Sequence, residues 1–160
     1  MLAEPVLQRA ARVIAALQSA KQTVGTAESL TAGLCTATLT SIAGSSAVVR
    51  GGLVVYATDL KHSLAGVDLA DLQSYGPVSE PVARQLASGA RDRLGADWGL
   101  ALTGVAGPGE QDGHRPGTVW IALEGPRERA VELLSLRGDR ESIREQAVDG
   151  VLTLLERALE

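Results

Sequence analysis

The sequence predicts an α/β fold, a three-layer α/β/α sandwich around a mostly parallel, mixed central sheet. Three observations predict it. Short apolar runs of strand length alternate with helix-period segments through the first two thirds of the chain, the pattern of parallel strands joined by crossover helices. The last two apolar runs are separated only by Glu124-Gly125-Pro126-Arg127-Glu128, too short for a crossover, so they form an antiparallel hairpin and make the sheet mixed. No repeat, linker or low-complexity stretch divides the 160 residues, and one domain of residues 1–160 can bury a substantial core.

Each element has its own signal. Val6, Leu7, Ala10, Val13, Ile14 and Leu17 share helical spacing behind Pro5, which predicts a helix over 4–20. Residues 23–27 read as a strand and 30–42 as a helix. Leu53-Val54-Val55-Tyr56 centres a strand over 50–57. Thr58 or Asp59 suits the cap of a short helix reaching 64, and 68–75 forms another. Ser79-Glu80-Pro81 opens a longer helix that Gly95 ends. Strands follow over 98–105, 117–123 and 130–136. Asp139 caps a final helix bearing Ile143, Ala147, Val151, Leu154, Leu155 and Ala158. Residues 106–116 carry the least regular pattern.

Composition excludes several functions. Phe is absent and only two Trp and two Tyr occur, so the core is aliphatic and no aromatic surface exists for stacking bases. A net charge of −4 provides no general field for a polyanion, so nucleic acid is not an expected partner. No apolar run reaches membrane-span length, and Glu4 and Arg9 break any signal-peptide core. Cys35 is the single cysteine, which rules out an intramolecular disulfide and an all-cysteine metal site. Its apolar surroundings make it a buried core residue, in keeping with a reducing cytoplasm. His62 and His114 have no metal-ligand spacing, and neither a P-loop nor a GxGxxG motif is present. No metal or organic cofactor is expected. The apolar faces of the first and last helices suit core packing, or a homo-oligomer.

The chemistry is expected where three strands end. The first leads into Glu28-Ser29-Leu30-Thr31, the second into Tyr56-Ala57-Thr58-Asp59-Leu60-Lys61, the third into Thr103-Gly104-Val105-Ala106-Gly107-Pro108-Gly109. If these strands are parallel, the three ends share one edge of the sheet, where α/β folds bind ligands. Ser29 reads as a nucleophile or as a helix N-cap. Lys61 reads as its base or as a solvated helix residue. The chain has thirteen Arg and two Lys, Lys21 and Lys61, and only lysine can be deprotonated by burial at useful pH. Tyr56 is a candidate proton relay or ligand contact. Gly44-Ser45-Ser46 suits a phosphate cradle or a tight turn. Arg140 and Arg144 share a helix face with Arg137 nearby, a phosphate clamp or a solvated charged face.

Taken together these residues resemble the CinA C-terminal domain family, the nicotinamide-mononucleotide (NMN) deamidases. The matching segments are Thr26-Ala27-Glu28-Ser29, Ala43-Gly44-Ser45-Ser46-Ala47, Arg50-Gly51-Gly52 with Tyr56 and Lys61, residues 76–83, Thr103-Gly104-Val105-Ala106-Gly107-Pro108, Pro116-Gly117-Thr118-Val119-Trp120 and Gly138-Asp139-Arg140. They run in order along nearly the whole chain. The resemblance implies hydrolysis of the NMN amide to nicotinic acid mononucleotide and ammonia, in pyridine-nucleotide recycling, with NMN the small-molecule partner. It implies Ser29, Lys61 and Tyr56 as catalytic, with Ser46 the rival nucleophile. Glu28, Thr31, Gly33, Gly44, Ser45, Ser46, Thr103, Gly104 and Arg140 would bind substrate, and backbone amides at the start of the second helix would hold the oxyanion. Two departures stand out. Ala32 replaces the first of two glycines usual after the first-motif threonine, where its methyl would crowd a ligand. The loop Gly109-Glu110-Gln111-Asp112-Gly113-His114-Arg115 replaces the usual acidic-glycine-glycine start. These keep two alternatives in view: a nucleotide-binding module with impaired catalysis, and an amidohydrolase acting on another amide. Larger members of that family also carry a pyrophosphatase-like domain, for which 160 residues leave no room, so that activity is not expected.

Overall fold

A computed structural model describes residues 2–160. The chain runs α1 (Glu4–Ala20), β1 (Val24–Glu28), α2 (Leu34–Thr40), a 3-10 turn (Ser45–Ala47), β2 (Val49–Val54), α3 (Thr58–Ser63), α4 (Leu69–Tyr75) and α5 (Glu80–Leu94). Then come β3 (Trp98–Gly104), β4 (Thr118–Glu124), β5 (Arg129–Ser135) and α6 (Arg140–Ala158). The strands form one sheet in the order β2-β1-β3-β4-β5. β1 pairs in parallel with β2 and β3, while β4 and β5 are antiparallel additions. The sheet is therefore mixed, with its parallel part around β1.

Helices cover both faces because the central strands are apolar on both. Leu100 and Leu102 of β3 and Val119, Ile121 and Leu123 of β4 pack with α1, α2 and α6. Ala101, Ala122 and Ala27 meet α5 on the other face, beside Val82, Ala83, Leu86, Ala87 and Ala90. Small side chains there bring α5 unusually close to the sheet. A Cβ on Gly99 would collide with the Ala87 carbonyl oxygen, so that strand position excludes any side chain.

Four element ends differ from expectation, each for a local reason. The helix expected from residue 30 begins at Leu34, because Ala32 and Gly33 take left-handed φ values of 46° and 99° and close a turn first. β2 ends at Val54, where the chain leaves the strand and directs two carbonyls at a side chain. The short helix after it has Ala57 at its N-cap with no side-chain cap bond. The Ser79 hydroxyl donates to the Gly76 carbonyl (2.9 Å) instead of capping α5. Asp139 does cap α6, accepting from Ser142 N–H at 2.9 Å.

Candidate active site

The parallel pairing places the C-terminal ends of β1, β2 and β3 at one edge, and a cleft of about 350 Å³ opens there. Ser29, Tyr56, Pro77, Thr103, Gly104 and Arg140 are among its lining residues. That volume lies at the lower end of ordinary small-molecule sites.

Ser29 follows the last residue of β1, and its N–H donates to the Leu102 carbonyl (2.9 Å), fixing it to the end of β3. Lys61 on α3 reaches under it. Its Nζ donates to Ser29 Oγ (2.9 Å), the Val55 carbonyl (2.7 Å) and the Tyr56 carbonyl (3.2 Å). No carboxylate forms an ion pair with it among the described residues. The side chain is 1% exposed, and loss of hydration pulls its pKa from 10.5 down to about 8. A neutral amine has two N–H bonds and one lone pair. The two carbonyls can take the N–H bonds, which leaves the lone pair facing the Ser29 hydroxyl proton. The same shell also satisfies the three N–H bonds of an ammonium. Hence the site holds Lys61 in either protonation state.

Other expected site residues fall elsewhere or hold structure. The Glu28 carboxylate is fully buried and accepts from Cys35 N–H (2.8 Å), Thr36 N–H (2.9 Å), Thr36 Oγ1 (2.7 Å) and Thr26 Oγ1 (3.2 Å). It caps α2 from beneath and has no surface for a ligand. It also takes the first helix amides, so the helix start cannot serve as the expected oxyanion site. The amides of Leu30 and Thr31, nearer Ser29, find no acceptor among the described residues. Thr31 is buried, its Oγ1 without a partner, and neither it nor Gly33 lines the cleft. Arg144 donates to the carbonyls of Leu30 (2.9 Å) and Thr31 (3.1 Å), so it clamps the Ser29 turn and not a phosphate.

Gly44, Ser45 and Ser46 are corrected outright. They precede β2 and so lie at the opposite edge of the sheet, beyond the end where Val24 pairs with Val49. The five residue steps from Val24 to Ser29 span roughly 16 Å of strand. Ser45 Oγ donates to the Thr40 carbonyl (3.3 Å), and Gln18 Nε2 donates to the Gly44 carbonyl (3.0 Å). Ser46 is exposed there, away from Lys61.

Tyr56 is 58% exposed at the cleft mouth, and its hydroxyl accepts from Arg140 (3.3 Å). The expected relay is unnecessary, since Lys61 touches Ser29 directly. Arg140, the first residue of α6, also donates to the Gly107 carbonyl (2.7 Å). Thr103 lines the cleft, but its hydroxyl donates to the Pro77 carbonyl (2.7 Å) and holds the loop before α5. Pro77, Val78, Glu110 and Gln111 also line the cleft without having been among the expected site residues, because they arrive on loops whose path only the fold reveals.

The CinA C-terminal domain model matches residues 7–159. This chain belongs to the CinA C-terminal domain family. The CinA domain here is 49% identical over 140 residues to a CinA-like protein of Gloeobacter violaceus, covering 86% of this chain and 33% of that protein. A CinA-like protein of Anaeromyxobacter dehalogenans is 45% identical over 148 residues, covering 92% of this chain and 36% of that one. The chain thus spans about a third of the length of these relatives. Among solved structures, the competence/damage inducible protein CihA of Agrobacterium tumefaciens superposes with a TM-score of 0.94 at 36% identity, covering 99% of this chain and 98% of that one. A CinA superfamily protein of Escherichia coli gives 0.91 at 30% identity, with 98% and 94% covered. Among the described residues, no helix of this CinA domain is long and apolar enough to cross a membrane.

Proposed function

We propose that the chain is an amidohydrolase that cleaves the carboxamide of NMN, with Ser29 as nucleophile and Lys61 as general base. The observation that carries the reading is the 2.9 Å contact between a buried, carboxylate-free Lys61 Nζ and Ser29 Oγ at the floor of the cleft. A serine hydroxyl needs an adjacent base, and a lysine near pKa 8 provides one at neutral pH.

Neutral Lys61 takes the Ser29 proton as Oγ attacks the amide carbonyl. The Leu30 N–H, directly after the nucleophile, donates to the oxyanion; such a donor is worth about 3 kcal/mol in a comparable hydrolase. Lys61 then returns its proton to the departing nitrogen, and ammonia leaves. Water attacks the acyl-enzyme as Lys61 takes its proton; the bond to Ser29 breaks, Lys61 returns that proton to the departing Ser29 Oγ, and the acid product leaves as its carboxylate. Arg140 binds the substrate phosphate at the mouth by charge-assisted hydrogen bonds. The reading places the protein in the cytoplasm with other pyridine-nucleotide chemistry.

Ammonia release from NMN by the purified protein tests this, with Ser29→Ala, Lys61→Met and Ser46→Ala alongside. The expected result is turnover in the wild type and Ser46→Ala, and none in the other two folded variants. Turnover by Ser29→Ala removes the nucleophile assignment. A folded wild type that binds NMN without releasing ammonia identifies a binding module, and release only from a different amide changes the substrate.

A further inference from the structure

Two charged side chains line the cleft, Arg140 and Glu110. They are of opposite sign, yet no ion pair joins them. Arg140 spends its hydrogen bonds on neutral acceptors, the Gly107 carbonyl and the Tyr56 hydroxyl. Glu110 has no partner among the described residues and stands exposed on the loop after Pro108. The mouth of the cleft therefore keeps one uncompensated positive charge and one uncompensated negative charge, more than 4 Å apart. If the loop existed only to close the turn, nothing would require an acid facing the cleft, and a nearby arginine would be its natural partner.

We infer that the cleft selects a small zwitterion, with Glu110 reading the cationic ring of the substrate while Arg140 reads its phosphate. Glu110 is thus a specificity-determining residue. The inference rests on the NMN reading, in which the pyridinium ring carries the positive charge and the phosphate the negative one. The Glu110 contact is exposed, so the effect is modest and salt-sensitive.

The test compares the wild type with Glu110→Gln for binding of NMN and of its reduced form, whose dihydropyridine ring is neutral. Affinities come from calorimetry at low and at 0.5 M salt. The expected result is about five-fold weaker binding of NMN by Glu110→Gln at low salt, a loss that fades at high salt, and unchanged binding of the reduced form. Equal loss for both forms, or no loss for either, overturns the inference. Ammonia release separates this from the parent reading. A wild type that deamidates NMN with no Glu110 effect sinks the charge reading alone. A wild type that shows the ring-charge dependence without ammonia release retains the zwitterion site and sinks the deamidase. A wild type that binds neither form overturns both.

Discussion

Lys61→Met probes the physical basis of the whole site. Methionine keeps most of the stem volume and removes the amine. In the folded chain Lys61 has a pKa of about 8, against 10.5 when unfolded. Between those values the unfolded chain binds a proton that the folded chain does not, so raising the pH favours folding. The gap, at about 1.4 kcal/mol per pH unit, comes to about 3 kcal/mol. Below pH 8 the wild type bears that cost in full; by pH 10.5 most of it is gone. The variant never bears it. The unfolding free energy of wild type minus Lys61→Met should therefore rise by about 3 kcal/mol from pH 7 to pH 10.5. Urea titrations followed by the fluorescence of Trp98 and Trp120 measure this, and every other titrating group cancels in the difference. A gap that stays flat within 1 kcal/mol would mean that Lys61 keeps an ordinary pKa, and the case for it as a base would fail.

Three further outcomes are expected. The kcat/KM for ammonia release from NMN should rise about ten-fold per pH unit below pH 8 and level off above it, because only neutral Lys61 is a base; a profile flat from pH 6 to 9 contradicts the assignment. Glu28→Gln puts an N–H donor among the donors that the carboxylate now satisfies, so stability should fall by about 1–3 kcal/mol by thermal or urea unfolding, and kcat with it as the Ser29 turn loosens. Ala32→Gly relieves a left-handed φ of 46° at an exposed position outside the cleft. It should change stability by no more than about 1 kcal/mol, in the stabilising direction, and leave KM unaltered. A lower KM would instead show that the methyl crowds the ligand.

The layer order and the hairpin were legible because they rest on period and spacing, which a sequence displays directly. The gathering of Ser29, Tyr56 and Thr103 at one edge was legible too, since it follows from parallel strands. What stayed hidden depended on partners distant in sequence. Glu28 looks like a site residue beside Ser29, yet alternation turns its side chain under α2, where four donors consume it. Ser45 and Ser46 have the composition of an anion cradle, but composition does not say at which end of β2 it stands. Arg144 shares a face with Arg140, and only the packing of α6 against the Ser29 turn commits it to two carbonyls. The start of α2 was misplaced by four residues because Ala32 conceals a left-handed turn that glycine would have announced.

Tyr56 faces two ways. Its main-chain carbonyl helps hold the amine of Lys61, while its phenol meets the guanidinium of Arg140 at the rim. Every residue has a carbonyl, whatever its side chain. Exchange at position 56 can therefore remodel what the mouth accepts while the proton chemistry below stays as it was. A lineage drifting toward a new amide, or a laboratory selecting for one, has at this position a freedom that Ser29 and Lys61 do not share.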